Sequence, residues 1–136
     1  MLELATASLR QTGRLRLRVT GASMLPAIRP GDVLEVRSMG IDAVRGGDVV
    51  LFARDGRFFA HRVVRRGISS LVTRGDALES DDAPFGEAEL LGAVVAVQRR
   101  GRDKNPDATL AGRAAAQVFR RSPLAGRLFT RWFAAA

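Results

Sequence analysis

The chain has 136 residues, 22 Lys+Arg against 14 Asp+Glu for a formal charge of +8, 46% hydrophobic residues, one histidine and no cysteine. That length fits one domain with one modest core, since single domains cluster at roughly 100–150 residues, and it excludes a two-domain enzyme. Without cysteine there are no disulfides, thiolate metal sites, iron–sulfur clusters or thiol nucleophiles, and one histidine is too few for a multi-histidine metal site. No metal or organic cofactor is expected.

The charge is unevenly placed. Residues 1–98 carry 13 basic and 12 acidic side chains, and residues 99–136 carry 9 and 2. The sole lysine is Lys104; every other basic residue is arginine, which stays protonated and cannot act as a general base. Arg10, Arg14, Arg16 and Arg18 interrupt the first 20 residues, so neither a signal peptide nor a bilayer-spanning segment is expected there. The expected location is cytoplasmic.

In chain order, the middle reads as β structure. Val33 to Arg37 is a β-rich run entered through Pro30-Gly31-Asp32, and Asp48 to Ala53 is a second, entered through Gly46-Gly47. Asp55-Gly56 favours a two-residue type I′ turn, so 48–54 and 57–64 are predicted as a hairpin. In the returning strand Phe59, His61 and Val63 share one face and Phe58, Ala60, Arg62 and Val64 the other. Gly67 to Ser70 reads as a turn, Leu71 to Thr73 as a short strand, Arg74 to Leu90 as an acidic loop, and Leu91 to Gln98 as a last strand. Residues 99–106 (RRGRDKNP) read as a polar linker. Beyond it, Asp107 is a helix N-cap, the helix running to about Arg121, and Ser122-Pro123 opens another. Leu124, Leu128, Phe129, Trp132 and Phe133 recur there at helical spacing. The resulting division is a β domain over 1–98, a linker over 99–106 and a basic amphipathic helical tail over 107–136.

Gly21 to Asp32 (GASMLPAIRPGD) is the stretch richest in chemistry. It sets Ser23 among small residues before Met24 and Pro26, on a tight turn leading into a strand. Such a turn can hold a hydroxyl at a fixed exposed angle with backbone N–H groups beside it, as acyl transfer requires. Taken alone, a serine that merely caps a turn is the commoner case. A lone strand histidine such as His61 is likewise more often packed than catalytic, and Asp76 with Asp81-Asp82 is equally a solvated acidic loop.

The order and spacing of these features resemble the signal peptidase I superfamily, which includes the LexA-type self-cleaving repressors. In that family the nucleophile lies in a Ser-Met-x-Pro box followed by Gly-Asp, matched by Ser23, Met24, Pro26, Gly31 and Asp32. A Gly-Asp-Val-Val-x-Phe strand matches Gly47 to Phe52, and the base precedes an arginine in the next strand, matched by His61-Arg62. The histidine branch, typified by archaeal and endoplasmic-reticulum signal peptidases, also carries Gly-Asp and a second aspartate six residues on, matched by Gly75-Asp76 and Asp82. The resemblance runs from about Val19 to Val97. It implies a mainly β fold, a signal-peptidase/LexA-like coiled β-sheet domain with a C-terminal α-helical appendage.

A Ser/Lys dyad would need a hairpin lysine, and Lys104 lies beyond the last strand, so the Ser/His/Asp branch is favoured. The resemblance then implies that His61 accepts the Ser23 proton and returns it to the leaving amine, that Asp82 orients the imidazole, and that Asp76 shapes the loop or assists. An imidazole in water titrates near ~6.5 and only its neutral form is a base, so activity is expected to fall in acid. Two departures stand out. Gly21 occupies a position where signal peptidases often have an oxyanion-stabilising serine, which leaves backbone N–H to do that work, and the N-terminal membrane anchor usual in the family is not expected here.

The basic tail has three readings: helices packed on the β domain, a peripheral helix on anionic lipid, or nucleic-acid binding, ranked last because no nucleic-acid module appears. Ala5-Thr6-Ala7 resembles an Ala-x-Ala cleavage site, although coincidence is the stronger reading in an alanine-rich chain. The combined expectation is a serine endopeptidase acting on a precursor protein or peptide bound in extended form, cytoplasmic or peripheral at the inner membrane face. Its rivals are a LexA-like self-processing regulator and a non-catalytic peptide-binding module.

Overall fold

The computed structural model describes residues 2–104. The predicted helices of the 107–136 segment, with their aromatic stripe, lie outside the described residues.

The chain opens with helix α1 (Leu2–Thr12), which the strand-centred reading did not anticipate. Leu9 is its anchor, 2% exposed in the core. Gly13, at φ +73°, ends the helix and its N–H returns to the Leu9 carbonyl at 2.8 Å, a left-handed cap that glycine adopts without strain. Ala5-Thr6-Ala7 therefore lies within a helix, not in the extended form that a peptidase cleft accepts.

Seven strands follow: β1 (Arg14–Arg18), β2 (Val33–Ser38), β3 (Val49–Arg54), β4 (Arg57–Arg66), β5 (Leu71–Arg74), β6 (Leu90–Arg99) and β7 (Arg102–Lys104). They form one antiparallel sheet in the order β1-β2-β6-β3-β4-β5, with β7 pairing to β6. The mainly β fold class is as the sequence indicated. The predicted hairpin is β3–β4, closed by Asp55 at φ +55° and Gly56 at φ +72°, both in the conformation a type I′ turn demands. Strand β1 alternates arginines to solvent with Leu15 and Leu17 toward the core.

The predicted 99–106 linker is corrected over residues 99–104. Arg99 belongs to β6, and Arg102–Lys104 pairs back on it in a second hairpin. Arg100 (φ +54°) and Gly101 (φ +76°) form its turn. The charged composition masked a two-residue turn in which only the second position is glycine.

Strand β3 is buried on both faces, so its run of apolar residues is continuous. Val49 and Leu51 join Met24, Ile28, Leu34 and Val94 on one side; Val50 and Phe52 join Val63, Leu71 and Phe85 on the other. The first layer lies under α1 and the serine turn, and the second under the loop after β5.

Candidate active site

Ser23 sits in the loop between β1 and β2, whose neck is closed by backbone bonds from Val19 N to Asp32 O and from Gly31 N to Val19 O, each 2.8 Å. Gly31, at φ +92°, makes the tight exit possible. Asp32 is 2% exposed; it accepts the Arg29 N–H at 2.8 Å and a two-pronged bond from Arg99 at 2.9 and 2.8 Å. That carboxylate also holds the Arg99 guanidinium pKa above its ordinary value. Inside the loop, Met24, Leu25 and Ile28 are buried, and the Leu25–Pro26 peptide is cis. The serine turn is thus moored from below by its apolar side chains and from the side by the end of β6.

The loop after β5 closes against this turn. The Ala77 N–H donates to the Ser23 carbonyl at 2.9 Å, and Gly75 packs so tightly that a Cβ there would lie 2.7 Å from the same oxygen. The Asp76 N–H points at the Met24 sulfur at 3.4 Å. Asp76 itself takes two bonds from Arg62, both 2.9 Å, and the third arm of that guanidinium reaches the Gly47 carbonyl at 2.8 Å. Arg62 and Asp76 are 2% and 3% exposed, so this bidentate pair ties β4 to the loop well away from water.

The other end of the loop returns along β5. Leu71 and Phe85 exchange backbone bonds at 2.8 and 3.0 Å, and the Asp82 N–H donates to the Thr73 carbonyl at 2.8 Å. Asp82 is thereby brought alongside His61 in β4. The distances are 2.6 Å from His61 Nδ1 to Asp82 Oδ2 and 3.0 Å from His61 Nε2 to Ser23 Oγ. His61 is 4% exposed, with the rings of Phe52 and Phe59 edge-on at 6.0 and 5.9 Å. Burial by itself raises the Asp82 carboxyl; bonds from His61 and Thr73, with positive charge from His61 and Arg54, more than reverse this, so its pKa is lowered. A carboxylate that stays ionised favours the Nδ1–H tautomer, which leaves Nε2 as an acceptor facing Ser23.

All the residues singled out from the sequence converge here, in three roles. Ser23, His61 and Asp82 form one continuous hydrogen-bonded row; Met24, Pro26, Gly31 and Asp32 build the serine turn; Asp76 is bound by Arg62. Sequence reasoning missed Thr73, Gly75 as a close-packing position, and Arg99, which it left in the linker. The available signals were an Arg beside each Asp-rich box and the Thr-x-Gly-Asp spacing. A cleft of about 480 Å³ opens beside Ser23 and His61, with Leu17, Val19 and Gly21 on one wall and Phe58 and Ala60 on the other.

A family model described as Peptidase S24-like matches residues 2–95, which sets this antiparallel sheet in a peptidase class. The chain belongs to that family. It is also 35% identical over 71 residues to the signal peptidase complex catalytic subunit SEC11C of Homo sapiens, Mus musculus and Canis lupus familiaris, covering 47% of this chain and 37% of each relative. The chain thus spans little more than a third of the length of these relatives. Among the described residues no helix is long and apolar enough to cross a membrane.

Proposed function

We propose that the chain is a serine endopeptidase that cleaves a precursor protein or peptide with Ser23 as nucleophile, His61 as general base and Asp82 as the group that orients the imidazole. The observation that carries this reading is the row of short contacts from Asp82 through His61 to Ser23, buried at its centre and open to a cleft at its nucleophilic end. Signal-peptidase kinship supports the substrate class.

Ser23 Oγ attacks the scissile carbonyl carbon while His61 Nε2 takes its proton. The tetrahedral oxyanion forms beside the Ser23 N–H, which donates to no backbone acceptor among the described residues. Collapse of the intermediate breaks the C–N bond, and the proton passes from His61 to the departing amine, leaving an ester on Ser23. Water, deprotonated by the same imidazole, then adds to the ester and releases the new carboxyl end. A substrate strand fits between the backbones of residues 17–21 and 57–60, with small apolar side chains entering the cleft.

The test is co-expression with precursors encoded nearby, following intact masses for wild type, Ser23→Ala, His61→Ala and Asp82→Asn. Cleavage in trans that Ser23→Ala abolishes is the expected result. Mass loss confined to the protein itself assigns self-processing instead, and an unchanged precursor with retained binding refutes the enzymatic reading.

A further inference from the structure

We propose that Thr73 is a positioning residue of the site: its hydroxyl fixes the Asp82 carboxylate so that one oxygen stays aimed at His61. The proposal rests on the reading of Ser23, His61 and Asp82 as the reacting set.

Thr73 lies on β5 opposite Val63 of β4, two residues along that strand from His61. It is 0% exposed, so water cannot serve its hydroxyl, and a buried hydroxyl without a partner is costly. Its Oγ1 lies 2.7 Å from Asp82 Oδ2. Since an ionised carboxylate only accepts, the proton must come from the threonine. The acceptor is the same oxygen that receives His61 Nδ1 at 2.6 Å. Two donors converging from β4 and β5 on one oxygen set the plane of the carboxylate, which a single bond to a freely rotating side chain would not.

The backbone of Thr73 contributes as well, because its carbonyl accepts the Asp82 N–H. One residue therefore holds the aspartate at both main chain and side chain. Other groups also face the carboxylate. His61 faces it from β4, Arg54 acts on it from β3, and the neighbouring Asp81 is engaged by Arg74 at 2.7 Å and by Arg65 at 3.4 Å. Arg54 is itself bound to Glu89 at 3.0 Å. Among the described residues Arg54, Arg65 and Arg74 make no hydrogen bond to Asp82, so their charge alone does not orient it. Thr73 supplies the direction.

His61 is the sole histidine, which makes its ring nitrogens directly assignable by ¹⁵N NMR in the intact chain without any turnover. Thr73→Val keeps the shape and removes the donor, Thr73→Ser keeps the donor, and Thr73→Ala replaces the valine variant if that one does not fold. Above the pH at which imidazole is protonated, wild type and Thr73→Ser are expected to show the Nδ1–H tautomer with a slowly exchanging, downfield proton. Thr73→Val is expected to shift toward the Nε2–H form that free imidazole prefers. Where cleavage is measured, kcat should fall roughly tenfold or more in Thr73→Val, the order of one hydrogen bond to a charged group, with KM unchanged and Thr73→Ser restoring it. A folded Thr73→Val with wild-type tautomer overturns the proposal, as does a Thr73→Ser that behaves like the valine. Absence of Ser23-dependent cleavage in wild type counts against the peptidase reading instead, and the NMR result still judges Thr73.

Discussion

Replacing Arg62 by methionine tests how the site is held together. Methionine keeps much of the aliphatic stem but removes the guanidinium that meets Asp76 twice at 2.9 Å and the Gly47 carbonyl at 2.8 Å. Both partners of the ion pair are nearly solvent-free, with side-chain exposures of 2% and 1%. Taking away one partner of such a buried, bidentate pair costs about 3–5 kcal/mol, whereas exchanging both for apolar residues is often neutral. Against a total stability of roughly 5–15 kcal/mol, the single change should lower Tm by about 10–20 °C, at a few degrees per kcal/mol for a domain of this size. Arg62→Met/Asp76→Leu should recover most of that loss. Losing the guanidinium removes a positive charge that favours the ionised form of the buried Asp76 carboxyl, so the folded variant protonates more readily than folded wild type and the penalty shrinks as pH falls. Thermal melts followed by far-UV circular dichroism at about pH 7.5 and pH 5.5 measure both effects. A cost below ~1 kcal/mol, a double variant as unstable as the single, or a penalty that does not change with pH would refute the argument.

Two further outcomes follow from the same geometry. Gly75→Ala places a methyl 2.7 Å from the Ser23 carbonyl and 2.9 Å from a Leu78 methyl; the leucine can yield but the backbone oxygen cannot without moving Ser23. Stability should drop by about 1–3 kcal/mol, and cleavage should drop by more than the lost folded fraction explains; a fully active variant contradicts the packing argument. Asp82 has a lowered folded pKa, so its contribution to stability is fully present above its ordinary value of 3.8 and is lost as pH falls through the lowered one. Urea denaturation should therefore show wild type and Asp82→Asn furthest apart near neutrality and converging in acid, and a constant gap between pH ~6 and ~2.5 rules this linkage out.

The hairpin and the serine turn were legible in the sequence because their signals are local. Asp55-Gly56 dictates a turn whatever surrounds it, and Gly31-Asp32 marks the exit of a loop. The alternation in 57–64 separated Phe58 and Ala60 from Phe59 and Val63, and the two core layers divide them in the same way. What failed to show was nonlocal. Arg99 looks like the start of a hydrophilic stretch until Asp32, 67 residues away, is seen to bind it. Thr73 reads as an ordinary β-branched strand residue, and its hydroxyl acquires a role only when the acidic loop doubles back along β5. Helix α1 gives a weak pattern, with Leu4 76% exposed and Leu9 deeply buried, so its helicity depends on packing against the sheet more than on its own periodicity.

The strand order has a consequence for the time course of synthesis. The serine turn hangs on β1 and β2, while His61, Thr73 and the loop bearing Asp82 hang on β3 to β5, and within the sheet these halves join only through β6. Strand β6 leaves the ribosome after all of them. Until it inserts, Ser23 and His61 belong to two ribbons with no ladder between them, and the Asp32–Arg99 clamp does not yet exist. The last long strand is therefore the element whose pairing joins the ribbon that carries the hydroxyl to the ribbon that carries the imidazole.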